Sequence, residues 1–168
     1  MTQVPDAVRS FAAELNGLQS LYVVGGGFYY PVALQWAGLL RRETKIHADG
    51  HAPEELMAES LERTEREAAV VFLCGSRCRV KKAVHQLASA VKRAGKRVLS
   101  VIDNDDRELA ERSELAILLP PLSEMVGATR TLVLLEWVTY HAARERGREP
   151  PRGSGTASFR RLLIHPFD

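Results

Sequence analysis

The stretch from Leu21 to Pro31 constrains the fold more than any other part of the chain. An apolar run of β-formers (Leu-Tyr-Val-Val) leads through three glycines into Phe-Tyr-Tyr-Pro, where a helix can start. A strand, a glycine turn and a helix start together offer backbone N–H groups to an anion. A tight turn without a ligand is the alternative, because neither G-x-G-x-x-G nor a Gly-Lys-Ser/Thr loop is present.

The rest of the chain alternates between extended and helical patterns. We predict strands at 20–24, 45–48, 69–74, 97–102 and 115–119, and helices at 6–15, 31–42, 54–66, 78–94, 105–112 and 125–146. Ser76 is the predicted N-cap of the helix at 78–94, and Gly95 is its predicted end. Strict alternation indicates an α/β fold, a three-layer αβα sandwich around a five-stranded, mainly parallel sheet of flavodoxin-like type.

Ligands of such sheets bind beyond the carboxyl ends of the strands, at the point where the strand order reverses. The loops after Val24, Leu73 and Leu119 are therefore the candidate binding loops. A chain of 168 residues fits one domain. We predict that this domain covers 1–147 and that 148–168 form a Pro- and Gly-containing linker and a C-terminal tail.

Charge and hydropathy argue against several classes of partner. The formal net charge of +2 at pH 7 is too small to indicate nucleic acid. No window of about 18 apolar residues is present, so no membrane-spanning segment is predicted. The first residues have neither a basic stretch nor an apolar core, so we expect no signal peptide and a cytoplasmic protein.

The cysteines and histidines do not predict a metal site. Cys74 and Cys78 could form a redox or metal pair, but no second pair or suitably spaced histidine completes a set of four ligands. We therefore expect structural thiols. The segment His47-Ala-Asp49-Gly-His51 resembles a metal cluster, but it contains a glycine and is predicted to be irregular chain. No metal and no cofactor is predicted.

Basic residues dominate the segment from Cys74 to Ile102, which has eight of them and no acid. Arg77 and Arg79 stand at its opening, near the predicted start of a helix, where cations oppose the helix dipole. A bound phosphate would reverse that penalty, and the planar guanidinium suits phosphate. The alternative is a solvated basic face.

Two acidic features lie beside the other candidate loops. Glu124 follows Pro120-Pro121-Leu122-Ser123 and could transfer protons on a bound sugar or stabilise the start of the long helix. The run 103–106, Asp-Asn-Asp-Asp, could bind a cation, but it also provides an N-cap for the following helix.

Three stretches resemble the SIS (sugar isomerase) domain. They are Tyr30-Pro-Val-Ala-Leu-Gln with Ile46-His47-Ala48 behind it, Val91-Lys-Arg-Ala-Gly95 leading into 97–103, and 120–147 with Tyr140-His141. More closely, the chain resembles the C-terminal SIS half in the isomerase region of glucosamine-6-phosphate synthase and related amino-sugar deglycases. The resemblance covers about residues 8–152 and implies a phosphorylated sugar or amino sugar as ligand.

The chain departs from that family at its catalytic positions. Where the synthase has a glutamate, a lysine and another glutamate on one helix, this chain has Gln35, Leu39 and Arg42. The family's ring-opening histidine falls on Ala58 and its C-terminal lysine near Thr156. We therefore predict no glutamine amidotransferase and no glucosamine-6-phosphate synthase activity. Any remaining activity would be sugar-phosphate isomerisation of the aldose–ketose type.

Two functions remain open at this point. The first is a phosphosugar-binding SIS protein whose catalysis is in doubt, with Glu124 as the acid/base group and a set of ligand or phosphate contacts: Gly25, Gly26, Gly27, Phe28, Cys74, Gly75, Ser76, Arg77, Arg79 and Ser123. The second is a non-catalytic structural subunit that pairs with a separately encoded SIS half. A nucleotide-binding domain is disfavoured, because the third glycine and an acid for the ribose are missing.

The resemblance also implies an oligomer. Double-SIS enzymes pack two halves about a pseudo-two-fold axis, so a lone half is expected to form a homodimer or a higher homo-oligomer. The predicted interface lies on the apolar helices 31–42 and 125–146 and buries Trp36, Leu39, Leu40 or Trp137 between subunits.

Overall fold

Five parallel strands form one sheet, as the alternating pattern predicts. The computed structural model describes residues 4–58 and 68–148. The strands are β1 (Ser20–Gly25), β2 (His47–His51), β3 (Ala69–Cys74), β4 (Arg97–Asp103) and β5 (Leu115–Leu119). They lie in the order β2-β1-β3-β4-β5, and every neighbouring pair is parallel. The α/β fold class is therefore confirmed.

Helices cover both faces of the sheet. They are α1 (Val4–Asn16), α2 (Tyr29–Thr44), α3 (Pro53–Ala58), α4 (Lys81–Arg93), α5 (Arg107–Arg112) and α6 (Glu124–Glu145). Helix α6 packs against α1 and α2 on one face, whereas α3 and α5 pack against α4 on the other. The part of the predicted helix 54–66 beyond Ala58 lies outside the described residues, as does almost all of the predicted linker and tail.

Strand β3 lies at the centre of the core. All six of its residues are buried, because helices cover both faces of the strand. Its register aligns Val71 with Val23 of β1 and with Leu99 of β4, which forms one apolar layer across the sheet. The continuous run of β-branched and apolar residues explains why the sequence predicted this strand at its observed bounds.

Strand β2 lies further along the chain than predicted. Lys45 adopts a left-handed conformation (φ 63°) and ends α2 at Thr44, so the strand begins at His47 rather than at 45. The observed strand overlaps the predicted one at 47–48 and continues to 51 as an edge strand that pairs with β1, so the interpretation of 47–51 as irregular chain is wrong. Its polar residues mask the pattern, because an edge strand buries little of its surface.

Helix α4 begins later than predicted. Residues 75–80 form two consecutive turns, closed by the Cys78 N–H to the Gly75 carbonyl (3.0 Å) and the Lys81 N–H to the Cys78 carbonyl (3.1 Å). The helix starts at Lys81, and the N-cap residue is Val80, which provides no side-chain cap. The prediction of Ser76 as the N-cap is therefore wrong. The predicted end is correct, since Gly95 (φ 72°) follows the last turn.

The residues predicted for a subunit interface are mostly inside the monomer. Trp36 and Leu40 are fully buried, and Leu39 is only 7% exposed. The Trp36 indole donates a hydrogen bond to the Thr139 hydroxyl at 2.9 Å, which joins α2 to α6. These side chains hold the monomer together, so the prediction that they pack between subunits is wrong. Trp137 is half-buried and packs against the His141 ring.

Candidate functional site

The candidate site lies where the strand order reverses, between the carboxyl ends of β1 and β3. Strand β1 is followed in the chain by its neighbour β2 on one side, and the chain then crosses to β3 on the other side. The loop after β1 and the loop after β3 leave the sheet in opposite directions, which opens a crevice between them, the usual ligand position in open α/β sheets. Two of the three predicted binding loops, after Val24 and after Leu73, therefore line this crevice.

The glycine turn forms one wall of the crevice. The Tyr29 N–H donates to the Gly26 carbonyl (3.0 Å) and the Tyr30 N–H donates to the Gly27 carbonyl (3.2 Å), so α2 starts directly on the turn. Gly27 has a φ of 57°, a conformation that side chains rarely adopt. Phe28 follows at the N-cap position of α2 and is 51% exposed.

The loop after β3 packs onto the glycine turn. A Cβ added at Gly26 would lie 2.0 Å from the Val80 Cγ2, so only glycine allows this approach. The Cys78 thiol lies 3.6 Å from the Gly26 carbonyl oxygen and donates to it. Val80 thus fills the place over Gly26 where an anion would have to sit. The structure therefore argues against an anion bound by the N–H groups near Gly26.

Glu124 covers the next residue of the same turn. Its Oε1 lies 2.4 Å from the position that a Cβ would take at Gly27. This oxygen is buried and has no hydrogen-bond partner among residues 4–58 and 68–148. Glu124 is the first residue of α6, and Ser123 is its N-cap residue, without a side-chain cap. The carboxylate therefore points an unpaired acceptor towards the glycine turn.

Ser76 contacts carboxylates and does not lie at an open phosphate-binding position. Both its N–H and its hydroxyl lie 2.8 Å from the Asp103 Oδ2, and the hydroxyl also contacts the Asp105 carboxylate. Asp103 is 2% exposed, and its other oxygen accepts from Arg130 at 3.2 Å. Ser76 as a phosphate contact stays a prediction, but these carboxylates would repel a phosphate at that position.

Tyr29 joins this carboxylate cluster to the glycine turn. Its phenol oxygen lies 2.5 Å from the position of a Cβ at Gly75 and 2.7 Å from one at Gly127, so two glycines make room for the ring. Burial, followed by the charge of Asp103, raises the pKa of the Tyr29 hydroxyl. The hydroxyl is therefore protonated and able to donate at any physiological pH.

Arg77 and Arg79 are two exposed cations at this edge. Both side chains are exposed, and neither pairs with a carboxylate within the described ranges. By contrast, Lys81 binds Asp106 at 3.2 Å, and His85 reaches the same carboxylate at 2.9 Å. Asp106 caps α5 by accepting from the Leu109 N–H, which confirms the N-cap role predicted for 103–106.

The structure brings most of the predicted site residues to one edge. Cys74 and Gly75 end β3 and open its loop, and Ser123 and Glu124 lie beside the glycine turn. Val80, Tyr29 and Arg130 were missed. Tyr29 could have been found from the sequence, because it belongs to the aromatic run directly after the glycines. No local sequence pattern indicates Arg130, because its partner Asp103 is 27 residues away.

No metal centre or membrane helix is found in the part of the chain that the structure describes. No group of three or more His, Cys, Asp and Glu side chains there could hold a metal ion. No helix among those residues is long and apolar enough to cross a bilayer.

Comparison with known proteins agrees with the fold. The chain is 27% identical over 142 residues to a glutamine–fructose-6-phosphate aminotransferase (isomerizing) from Chlorobaculum tepidum, which covers 84% of this chain and 23% of that protein. The chain thus spans about a quarter of the length of the curated relatives it matches.

Solved structures of other proteins share the architecture. The C-terminal domain of glucosamine-fructose-6-phosphate aminotransferase from Francisella tularensis superposes with a TM-score of 0.73 at 18% identity, covering 89% of this chain and 43% of that chain. The sugar isomerase domain of the RpiR transcription factor from Sphaerobacter thermophilus gives 0.67 at 13% identity, covering 98% and 88%. The SIS domain model matches residues 14–143, and the chain therefore belongs to the SIS domain family.

Proposed function

We propose that the crevice between β1 and β3 binds a phosphorylated sugar. The observation that carries this proposal is the buried, unpaired Glu124 Oε1 over the glycine turn. A buried acceptor without a partner is destabilising by roughly 1–3 kcal/mol, and a ligand that donates a hydrogen bond removes that penalty. A sugar hydroxyl or ammonium group is such a donor.

The charges define the orientation of the ligand. Glu124, Asp103 and Asp105 make the inner part of the crevice negative, so a phosphate is repelled there. Arg77 and Arg79 flank Cys78, whose thiol lies near Glu124. We therefore place the phosphate on the two exposed arginines and the donor end of the sugar on Glu124.

Catalysis by the route of the aminotransferase relatives is not part of this proposal. Gln35 is exposed and Leu39 is buried at positions where the resemblance requires acid and base groups. Glu124 is the acid/base candidate that we retain, for proton transfer on a bound sugar. We expect no turnover of fructose 6-phosphate at an ordinary enzymic rate of about 1 s⁻¹ or faster.

A homodimer is the second part of the proposal. Since Trp36 and Leu40 are inside the monomer, the candidate interface moves to the apolar side chains that remain exposed on α2 and α6. These are Leu34 (45% exposed), Met125 (60%) and Val126 (49%). Light scattering that gives a monomer mass at high concentration would exclude it. The cytoplasmic location and the domain boundary at 147 stay predictions.

The test is a binding titration with fructose 6-phosphate, glucosamine 6-phosphate and their unphosphorylated parents. We expect the phosphorylated sugars alone to bind. Replacing Arg77 and Arg79 with alanine should weaken binding about a hundredfold, because charge-assisted hydrogen bonds contribute roughly 1.5–3 kcal/mol each. Arg93→Ala, an exposed arginine at the other end of α4, is the matched control and should bind normally.

Failure of this test has a clear meaning. If the wild-type chain binds none of these sugars at millimolar concentration, the phosphosugar proposal is wrong and Arg77 and Arg79 form a solvated basic face. If the double variant binds as well as the wild type, the phosphate lies elsewhere.

A further inference from the structure

Two free thiols lie directly beneath the candidate site. Cys74 is the last residue of β3, and Cys78 follows in the turn that the Cys78 N–H closes onto the Gly75 carbonyl at 3.0 Å. This turn folds Cys78 back over the end of the strand. Both side chains are buried, at 1% and 5% exposure, and each thiol lies against a backbone carbonyl of the crevice.

The two thiols are chemically unequal. The pKa of the Cys74 thiol is raised first by the hydrogen bond that it donates to Cys78 and second by burial. The same hydrogen bond lowers the pKa of Cys78, helped by the Val80 N–H and opposed by burial and by Glu124. Cys78 is therefore the more acidic thiol of the pair, and Cys74 lies beside it as the less acidic one. Because the thiolate is the nucleophile, this is the arrangement of an attacking and a resolving thiol.

We propose that Cys74 and Cys78 form a peroxide-sensitive pair that closes to an intramolecular disulfide and changes the candidate sugar site. The Cys78 thiolate attacks one oxygen of hydrogen peroxide, the O–O bond breaks, and hydroxide leaves a sulfenic acid on Cys78. The Cys74 sulfur then attacks the Cys78 sulfur, the S–O bond breaks and water is released. Overall, two thiols and one hydrogen peroxide give one disulfide and two waters.

The disulfide would alter the crevice through one contact. Cys78 donates its thiol hydrogen to the Gly26 carbonyl at 3.6 Å, and Val80, two residues later, fills the space over Gly26. A bond to Cys74 removes that hydrogen and draws Cys78 towards β3. The loop that carries Arg77 and Arg79 then loses its attachment to the glycine turn. This consequence for binding rests on the proposed function, whereas disulfide formation does not.

The full chain allows a direct test, because trypsin cleaves after Arg77 and separates the two cysteines. The reduced protein is treated with hydrogen peroxide, alkylated and digested without reductant. We expect the Cys74 and Cys78 peptides to remain joined, the intact monomer to lose two hydrogens, and reductant to restore both thiols. Two alkylated cysteines after treatment, or a disulfide between two chains, would overturn the proposal.

Serine variants test the order of events. In Cys74→Ser, the attacking thiol has no resolving partner, so a dimedone adduct should accumulate on Cys78. In Cys78→Ser, the remaining Cys74 should resist the same peroxide dose. Faster oxidation of Cys74 than of Cys78 would contradict the assignment. Should either variant fail to fold, the wild-type digest still decides the proposal.

The link to the sugar site has its own readout. We expect the oxidised chain to bind fructose 6-phosphate at least about tenfold more weakly than the reduced chain. Equal affinity in the two states would overturn the coupling. If the reduced chain binds no sugar phosphate, the proposed function fails, while the digest alone still decides whether the thiol pair exists.

Discussion

The two ends of the sheet are built on opposite principles. At the amino end, the Arg146 guanidinium donates to the backbone carbonyls of Leu15, Asn16, Leu18 and Thr44. At the carboxyl end, three buried polar atoms lack partners among the described residues: His51 Nε2, Glu124 Oε1 and Arg130 Nε. At the amino end these carbonyls all accept hydrogen bonds, whereas at the carboxyl end some buried donors and acceptors of the described residues remain unpaired.

The difference shows where stability and function are separated. Arg146 follows α6 and binds carbonyls at the C-terminal ends of α1 and α2, where a cation is favourable to the helix dipoles. Glu124 begins α6 at the other end, and its Oε1 gains no hydrogen-bond partner among residues 4–58 and 68–148. A saturated end stabilises the fold, whereas unpaired buried atoms are available to a ligand.

The largest expected effect belongs to the amino end. Replacing Arg146 with alanine leaves carbonyls of α1 and α2 unpaired, so we expect the free energy of unfolding to fall by about 3 kcal/mol. Arg146→Lys should recover only part of the lost unfolding free energy, because an ammonium group cannot reach all of these carbonyls at once. The measurement is urea unfolding, with Arg144→Ala, an exposed neighbour, as the control. A loss below about 0.5 kcal/mol would show that this end is not held by Arg146.

The second prediction concerns the glycine turn. Gly27→Ala imposes a side chain on a φ of 57° and places its Cβ against the Glu124 Oε1. We expect a loss of about 2 kcal/mol in unfolding free energy. In a Glu124→Ala background the steric part disappears, so the loss should fall to about 1 kcal/mol. Equal losses in both backgrounds would mean that Glu124 does not cover Gly27 in solution.

How far the sequence predicts this structure depends on the range of the interactions involved. Apolar runs such as 69–74 predicted four strands nearly at their observed bounds, because each run is apolar enough to be recognised from its own residues. The polar strand His47–His51 was predicted too early in the chain, at 45–48, and the turns at 75–80 were missed, because both depend on neighbouring elements rather than on local periodicity.

The site was predictable only in outline. The glycine turn and Glu124 were placed at the correct edge, because a parallel fold brings strand ends and helix starts together. The side-chain contacts that define the chemistry of the site could not be predicted from the sequence. Ser76 meets Asp103 across 27 residues, and Val80 reaches Gly26 across the β1–β3 crevice. No local pattern predicts such pairs.

The third prediction separates stability from binding at Glu124. Glu124→Ala removes the buried unpaired oxygen, so we expect unfolding to require about 1 kcal/mol more free energy than in the wild type. The same change should weaken sugar-phosphate binding about tenfold. The control is Glu54→Ala, an exposed glutamate in the first turn of α3. A destabilised variant would indicate that the fold itself pairs Glu124.

The smallest expected effect tests whether a residue belongs to the site because it lies at the carboxyl end of the sheet or because it has an unpaired polar atom. Asp106 lies at the carboxyl end, yet it is saturated by Lys81, His85 and the Leu109 N–H. Burial alone would raise the pKa of Asp106, but the hydrogen bonds from His85, Leu109 and Lys81 outweigh it and lower that pKa. If pairing is what matters, Asp106 should behave like Arg146 and contribute to stability without affecting the ligand.

The sign of the pH dependence follows from that lowered pKa. The Asp106 contribution is fully present above the unfolded-state pKa of about 4 and is lost as the pH falls through the lower folded-state value. Asp106→Asn should therefore lower the unfolding free energy by about 1 kcal/mol at pH 7, and the difference should shrink as the pH falls through the lowered folded-state pKa of Asp106. Protonation of Glu108, which also contacts His85, affects both proteins alike in that range. Sugar-phosphate affinity at pH 7 should be unchanged, and a clear loss of affinity would show that location at the carboxyl end, rather than an unpaired atom, marks the residues of the site.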